Sequence, residues 1–258
     1  MSDLHWKTSI TKIQPNKVSI GGYPVDKLMG NISFAQAIFL VLTGDMPSPE
    51  VGKLVDAIFV SSVDHGASPP SVLAARTVAS TGSELNAAIA SGVLAISRYH
   101  GGAIEEGMRL FFAIAKRMEE QQKSEQETAR IILTEMREKG KRASGFGHRI
   151  HSQDPRAKKL FGLAEELKIA GKHIRIAGTV EKELENMLGK SLPINVDGAI
   201  AAVLCELGIS PDIGNAFFII ARVPGLVAHI HEEWTRMRPM RKIHPQDFEY
   251  DGPEEREL

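Results

Sequence analysis

The sequence has little cysteine, little net charge and no long hydrophobic run. Cys205 is the single cysteine of the 258 residues, which excludes an intrachain disulfide and favours a reducing compartment. The 31 basic and 32 acidic residues leave a formal net charge of −1, so no broad attraction to nucleic acid or to an anionic membrane is expected. No stretch reaches the roughly 18 apolar residues of a membrane span, and residues 1–10 lack an apolar signal core. These absences predict a cytoplasmic protein without a nucleic-acid or membrane partner.

Apolar residues recur at helical spacing along most of the chain. Ser33 is predicted to cap a helix over residues 34–42 that stops at Gly44, and further helices follow from residue 49 onward. Only residues 8–20 alternate polar and apolar side chains, which predicts a short strand or hairpin. The fold class is therefore predicted to be nearly all-α, with an extended tail over residues 239–258.

Several reactive residue types are best explained as structural. Cys205 lies in an apolar run and is predicted to be a core residue rather than a nucleophile. His229 and His231 are two residues apart, which splays their side chains on a helix, so no metal site is predicted. His5 and His173 are predicted to be surface residues.

Four segments place polar or charged residues beside glycine, which lets a backbone turn sharply or approach a ligand closely. Histidine among glycines can lie at a helix terminus, where anions are favoured. Each segment alone is a weak signal, and Asn-Val-Asp-Gly is explained equally well by a helix cap and a turn. The segments are Asp64-His65-Gly66, Tyr99-His100-Gly101-Gly102-Ala103, Gly145-Phe146-Gly147-His148-Arg149 with Asp154-Pro155-Arg156, and Asn195-Val196-Asp197-Gly198.

Arg222 lies inside the apolar run over residues 217–227. A guanidinium among apolar side chains is costly unless an anion meets it. The anion is either an acidic side chain of the protein or a carboxylate of a ligand, and the sequence leaves both readings open.

Taken in order along the chain, these motifs resemble those of the citrate synthase family. The order is His-Gly, His-Gly-Gly-Ala, Gly-Phe-Gly-His with Asp-Pro-Arg, Asn-Val-Asp, and Ala-Arg in an apolar helix. Residues 21–25 and 33–47 also resemble the N-terminal region of that family, so the resemblance covers nearly all of residues 18–250. Agreement of five motifs in one order makes the resemblance specific.

The resemblance is closer to one branch of the family, the citryl-CoA lyases. The chain lacks extra segments of ordinary citrate synthases and resembles the C-terminal module of ATP-citrate lyase in its compactness, in Asn-Val-Asp-Gly and in His244-Pro245. The resemblance implies an enzyme that cleaves (3S)-citryl-CoA to acetyl-CoA and oxaloacetate. The alternatives are a citrate or 2-methylcitrate synthase and a subunit that binds CoA or citrate without turnover.

The resemblance also implies a citrate-synthase-like fold with the active site between two helical domains. The large domain is expected over residues 1–101 and 213–258, and the small one over residues 102–212. The CoA thioester is the substrate, and no cofactor or metal is expected. A homo-oligomer built on a dimer, a citryl-CoA synthetase as a candidate partner, and a place in the reductive tricarboxylic acid cycle are further expectations.

Three catalytic residues follow from the resemblance. His148 is expected to face the hydroxyl or carbonyl oxygen of the carbon that becomes the oxaloacetate carbonyl. His100 is expected to hydrogen-bond the thioester oxygen and stabilise the enolate, and Asp197 to protonate the methylene carbon. These are the donors and the acid that a retro-aldol cleavage requires.

Binding residues are implied in the same way. His65, Arg156 and Arg222 match the positions that hold substrate carboxylates, and guanidinium groups suit that task. His244 stands where ordinary citrate synthases have an arginine that enters the neighbouring chain's pocket, which puts that contact in doubt and favours the lyase branch. The usual basic residue for the CoA phosphates is missing, and the candidate CoA-binding residues are Arg142, Gly145, Gly147, Arg149 and Lys158.

Overall fold

A computed structural model describes residues 7–147 and 153–241 of the chain. Within these ranges the chain is mostly helical, which confirms the predicted fold class. The helices are α1 (Val25–Leu28), α2 (Phe34–Thr43), α3 (Pro49–Ser62), α4 (Pro70–Ser80), α5 (Leu85–Leu94), α6 (Ala103–Gln121), α7 (Glu125–Glu138), α8 (Pro155–Glu166), α9 (Lys172–Leu188), α10 (Val196–Glu206) and α11 (Gly214–Arg236), with a short 3-10 helix over Pro211–Ile213.

The predicted hairpin forms near the start of the chain. Strands β1 (Thr11–Gln14), β2 (Lys17–Ile20) and β3 (Tyr23–Pro24) make one antiparallel sheet in that order. Asn16 has a φ of 59° between the first two strands, a left-handed conformation that asparagine tolerates better than most residues. The hairpin is therefore closed by local turn chemistry.

Helix starts and stops follow the predicted signals. The Ser33 side chain accepts a hydrogen bond from the backbone of Gln36, whose side chain accepts one from the backbone of Ser33. Gly44, with a φ of 86°, ends α2 in the left-handed conformation that glycine adopts without strain. Ser48 caps α3 ahead of Pro49, the first helical residue.

Contacts divide the chain into two compact units, the first comprising residues 1–65 and 96–225. Its core surrounds α10, in which residues 198–205 are all buried. Cys205 is part of this core, and burial raises the pKa of its thiol, which suppresses the reactive thiolate. The prediction of a packed, unreactive cysteine agrees with this environment.

The second unit comprises residues 66–95 and 226–258. In its described part, α4 packs against α5, and Leu226 and Ile230 from the end of α11 contribute to a small apolar core. The limits of the two units differ from those of the two predicted domains. The expected division at residues 101 and 213 stays a prediction.

One apolar helix and one histidine differ from the predictions made for them. The helical stretch Pro211–Arg236 is, by length and composition alone, apolar enough to cross a membrane, and 44% of its apolar window is buried inside the protein. His173 is a core residue, 6% exposed. The Phe112 ring packs edge-on against the imidazole of His173, with the two ring centres 5.1 Å apart. The Nδ1 of His173 lies 3.4 Å from a carboxylate oxygen of Glu206.

Candidate active site

A cavity of about 200 Å³ in the first unit collects residues from all four glycine-flanked segments and from α11. Five of the predicted catalytic and carboxylate-binding residues line it together, namely His65, His100, Arg156, Asp197 and Arg222. Ser62, Tyr99, Gly101, Asn195, Val196 and Phe218 complete the lining. His148, Arg149 and His244 lie outside the described residues, so their predicted roles stay predictions.

His100 sits in a tight turn directly before α6. Ser97 and His100 exchange two backbone hydrogen bonds, each 2.9 Å long. Gly101 follows with a φ of 88°, and a Cβ there would lie 2.7 Å from Ile96 and 2.8 Å from the Phe218 ring. Glycine is therefore favoured at position 101, because its positive φ and its close approach to Phe218 leave no room for a Cβ.

The surroundings of His100 favour its neutral form. Burial lowers the pKa of the imidazole, and the positive charges of Arg222 and His65 lower it further. The ring of Phe218 meets the imidazole edge-on, with the two ring centres 6.0 Å apart. A neutral imidazole donates one N–H and accepts at the other nitrogen, so His100 can hydrogen-bond a developing oxyanion without itself carrying charge.

The segment over residues 195–198 begins α10. The Asn195 side-chain oxygen accepts from the backbone N–H of Asp197 at 3.0 Å and of Gly198 at 3.2 Å, while its amide nitrogen donates to the Gly147 carbonyl at 3.0 Å. A Cβ on Gly198 would lie 2.3 Å from the Gly145 carbonyl oxygen. The helix-cap reading of this motif is therefore confirmed, and the cap also fixes the loop that leads to residue 148.

Asp197 is in the first turn of α10 and lines the cavity. Burial raises the pKa of its carboxyl group, against the opposing charges of Arg156 and Arg222, and the negative charge of Asp154 raises it further. A carboxyl group that holds its proton to higher pH is better matched to proton transfer near neutral pH.

Arg222 is 3% exposed, so its guanidinium is almost completely removed from solvent. Its Nε donates to the Ser62 carbonyl at 3.0 Å, and its guanidinium carbon lies 4.5 Å from the centre of the Phe218 ring. Burial lowers its pKa, against the charges of Asp64 and Asp197. Its buried Nη1 has no hydrogen-bond partner among the described residues, which leaves a donor available to an anionic ligand.

Arg156 is the second residue of α8 and is oriented by the cap of its own helix. Its Nε and Nη2 lie 3.0 and 2.9 Å from the two carboxylate oxygens of Asp154. Burial alone would raise the pKa of Asp154, but hydrogen bonds from Arg156 and from the backbone of Val196 hold that pKa below its usual value. Sequence reasoning gave Asp154 no role, although aspartate before proline is a recognisable start signal for a helix.

The candidate CoA-binding residues are less well defined. Gly145 and Gly147 have positive φ angles of 90° and 84°, which explains glycine at both positions. The side chains of Arg142 and Lys158 are exposed and are not part of the cavity lining. Their role in holding CoA phosphates stays a prediction.

Comparison with known proteins identifies relatives of this chain. The family model for the citrate synthase C-terminal domain matches residues 46–246. Citrate synthase 2 of Bacillus subtilis (strain 168) is 31% identical over 233 residues, which cover 87% of this chain and 57% of that protein. This chain spans little more than half the length of the curated relatives it matches.

Two lyases are among the solved structures that resemble the chain over almost its whole length. Citryl-CoA lyase from Hydrogenobacter thermophilus is 42% identical with a TM-score of 0.88, and the match covers 98% of this chain and 97% of that one. ATP citrate lyase from Methanothrix soehngenii is 22% identical with a TM-score of 0.81 and covers 99% and 43%, which shows likeness of fold alone. The predicted fold and the resemblance to these two proteins are confirmed.

Proposed function

Since the chain belongs to the citrate synthase family, we propose that it is a citryl-CoA lyase, which cleaves citryl-CoA to acetyl-CoA and oxaloacetate. The observation that carries the proposal is the buried Nη1 of Arg222, which has no partner in the described part of the chain and lies in a cavity that Arg156, His100 and Asp197 also line. An anion of matching size satisfies that donor, and the residues around it supply the groups that carbon–carbon cleavage needs.

Carboxylate binding is assigned to Arg222, Arg156 and His65. A carboxylate accepts two parallel hydrogen bonds from a guanidinium, and both arginines line the cavity. Citrate and oxaloacetate each carry at least two carboxylates, so two guanidinium groups in one small cavity match their charge. The buried position of Arg222 excludes much of the water that would weaken this attraction.

Cleavage proceeds as a retro-aldol reaction. A base, His148 in this proposal, takes the proton of the citryl hydroxyl, and that oxygen becomes the carbonyl of oxaloacetate. The bond between the hydroxyl-bearing carbon and the methylene carbon breaks, and its electron pair forms the enolate of acetyl-CoA. His100 donates a hydrogen bond to the enolate oxygen, and Asp197 delivers a proton to the carbon to give acetyl-CoA.

The environments of two of these groups fit those tasks. Burial and neighbouring cations lower the pKa of His100, which keeps it a neutral donor. Burial raises the pKa of Asp197, which keeps a proton available for the carbon. A preorganised donor at a developing oxyanion contributes about 3–4 kcal/mol at the transition state.

The similarity to Hydrogenobacter thermophilus citryl-CoA lyase supports cleavage as the main activity, because the two chains match over 98% and 97% of their lengths. The second candidate is a citrate or 2-methylcitrate synthase, which the 31% identity to Citrate synthase 2 supports. A synthase forms the same carbon–carbon bond in reverse and then hydrolyses the thioester. The presence of His100 and Asp197 in one cavity argues against a subunit that only binds.

The distinguishing experiment follows both products of citryl-CoA. Oxaloacetate is measured by coupling to malate dehydrogenase, and free CoA by a thiol reagent. Cys205 is 2% exposed with a raised pKa, so it adds little background to the thiol measurement. We expect oxaloacetate and acetyl-CoA with little free CoA. Rapid CoA release from acetyl-CoA and oxaloacetate, at a rate matching citryl-CoA cleavage, would favour the synthase.

We propose a cytoplasmic homo-oligomer built on a dimer, without a cofactor, in the reductive tricarboxylic acid cycle, with a citryl-CoA synthetase as a candidate partner. Shared sites predict that mixing His244→Ala with His65→Ala restores part of the activity. No restoration, despite demonstrated subunit exchange, would indicate sites built within single chains.

A further inference from the structure

Asp154 is outside the cavity lining, yet it contacts the starts of both helices that carry Arg156 and Asp197. Its side chain is completely buried, with an exposed fraction of 0%. We infer that Asp154 is a positioning residue that fixes the Arg156 guanidinium relative to the start of α10, an inference that rests on the proposed function.

Four hydrogen bonds satisfy the carboxylate of Asp154. One oxygen accepts from the backbone N–H and from Nε of Arg156, both at 3.0 Å. The other accepts from Arg156 Nη2 at 2.9 Å and from the backbone N–H of Val196 at 3.0 Å. The same carboxylate therefore caps α8, clamps the arginine side chain and ties it to the residue directly before Asp197.

The two side-chain hydrogen bonds between Arg156 and Asp154, called the clamp below, leave other donors of the guanidinium for substrate. A guanidinium has five N–H donors, and the side-chain fork with Asp154 uses two of them. Arg156 is 29% exposed and would otherwise sample many rotamers in the cavity. Ordering a long side chain on binding weakens affinity, so an arginine that is ordered beforehand binds a carboxylate more tightly.

Because it acts through Arg156, Asp154 is expected to control carboxylate binding selectively. Loss of the clamp should weaken binding of citrate, which needs the arginine, and should spare binding of CoA, which carries its phosphates elsewhere. A carboxylate that served folding alone would not separate the two ligands. This selectivity is what an experiment can measure.

Two substitutions separate the clamp from the helix cap. Asp154→Asn keeps one oxygen for the cap but turns an amide towards donors of Arg156 or Val196. Asp154→Ser keeps a good cap for α8 and removes the clamp. The matched control is Glu183→Gln, which alters another buried carboxylate, paired with Arg130 at 2.9 Å and absent from the cavity lining.

Calorimetric titration with citrate and with CoA tests the inference on the purified full-length chain. We expect both Asp154 variants to bind citrate about tenfold more weakly, the effect of a lost charge-assisted hydrogen bond, and CoA within about twofold of wild type. Arg156→Met should weaken citrate binding in the wild type and add little in Asp154→Ser. Glu183→Gln should change neither Kd.

Several results would overturn the inference. They are unchanged citrate binding in either folded Asp154 variant, equal weakening of citrate and CoA, additive effects of Asp154→Ser and Arg156→Met, or failure of both Asp154 variants to fold while Glu183→Gln folds. Wild type that binds neither citrate nor oxaloacetate and leaves citryl-CoA intact would overturn the proposed function together with the inference. Normal wild-type activity with normal Asp154 variants would overturn the inference alone.

Discussion

Each of the two compact units contains a buried arginine, and the two arginines are satisfied differently. Arg76, 7% exposed, donates to Glu233 at 2.7 Å and to Glu232 at 3.2 Å in the second unit. Arg222, 3% exposed, has an Nη1 without a hydrogen-bond partner among the described residues, in the first unit. The first arginine has the environment of a structural ion pair. The second has that of a binding site, because no acceptor among the residues that the structure describes meets its Nη1.

The largest expected effect is a loss of turnover when Asp197, the carboxyl group near Arg222, is replaced. Asp197→Asn removes proton transfer while keeping shape, and should lower kcat by about 10²–10⁴-fold. Glu233→Gln, beside Arg76, is the matched control and should leave kcat unchanged. Steady-state rates of citryl-CoA cleavage measure both. Wild-type turnover in Asp197→Asn would make Asp197 a turn residue only.

The next largest effect is on the free energy of unfolding. Here the substitution in the second unit, at Arg76, is expected to cost more than the substitution in the first unit, at Arg222. Arg76→Met breaks a buried ion pair and leaves Glu233 with Arg241 alone, so we expect a loss of about 3 kcal/mol. Arg222→Met removes a hydrogen bond to Ser62 and the attraction to Asp64 and Asp197, but it also removes the cost of burying the guanidinium, so we expect a smaller loss of about 1 kcal/mol. Urea unfolding curves give both values. A greater loss in Arg222→Met would indicate a structural role for that guanidinium.

A smaller effect concerns pH. Burial raises the pKa of the Asp197 carboxyl group in the folded state, so the folded protein favours the protonated form. The contribution of Asp197 to the free energy of unfolding is therefore complete below the unfolded pKa and is lost as pH rises through the folded pKa. Asp197→Asn avoids that loss. The variant should therefore gain stability relative to wild type as pH rises from about 3 to 7, as thermal melts at several pH values would show. A constant difference between the two proteins would contradict the raised pKa.

The features that sequence motifs predicted well are local ones. Ser33 and Gly44 limit α2 because capping depends on neighbouring residues. Arg222 stood out because a charge in an apolar helix needs an anion, although the sequence left its partner open. The glycine motifs, through the family resemblance, identified four further residues that line the same cavity, namely His65, His100, Arg156 and Asp197.

The features that were missed depend on distant contacts. Asp154 meets the backbone of Val196, 42 residues further along the chain, and no local pattern indicates that bond. His173 is buried, and the ring of Phe112 from another helix packs edge-on against it.

The most direct test of the account is the thermal shift that citrate produces in wild type, Arg222→Met and Arg76→Met. A ligand that binds only the folded state adds about 2.7 kcal/mol at a hundredfold excess over its Kd. We predict that citrate raises the Tm of wild type and of Arg76→Met equally, and that the gain disappears in Arg222→Met. An unchanged citrate shift in Arg222→Met would contradict the account and make Arg222 a structural residue like Arg76.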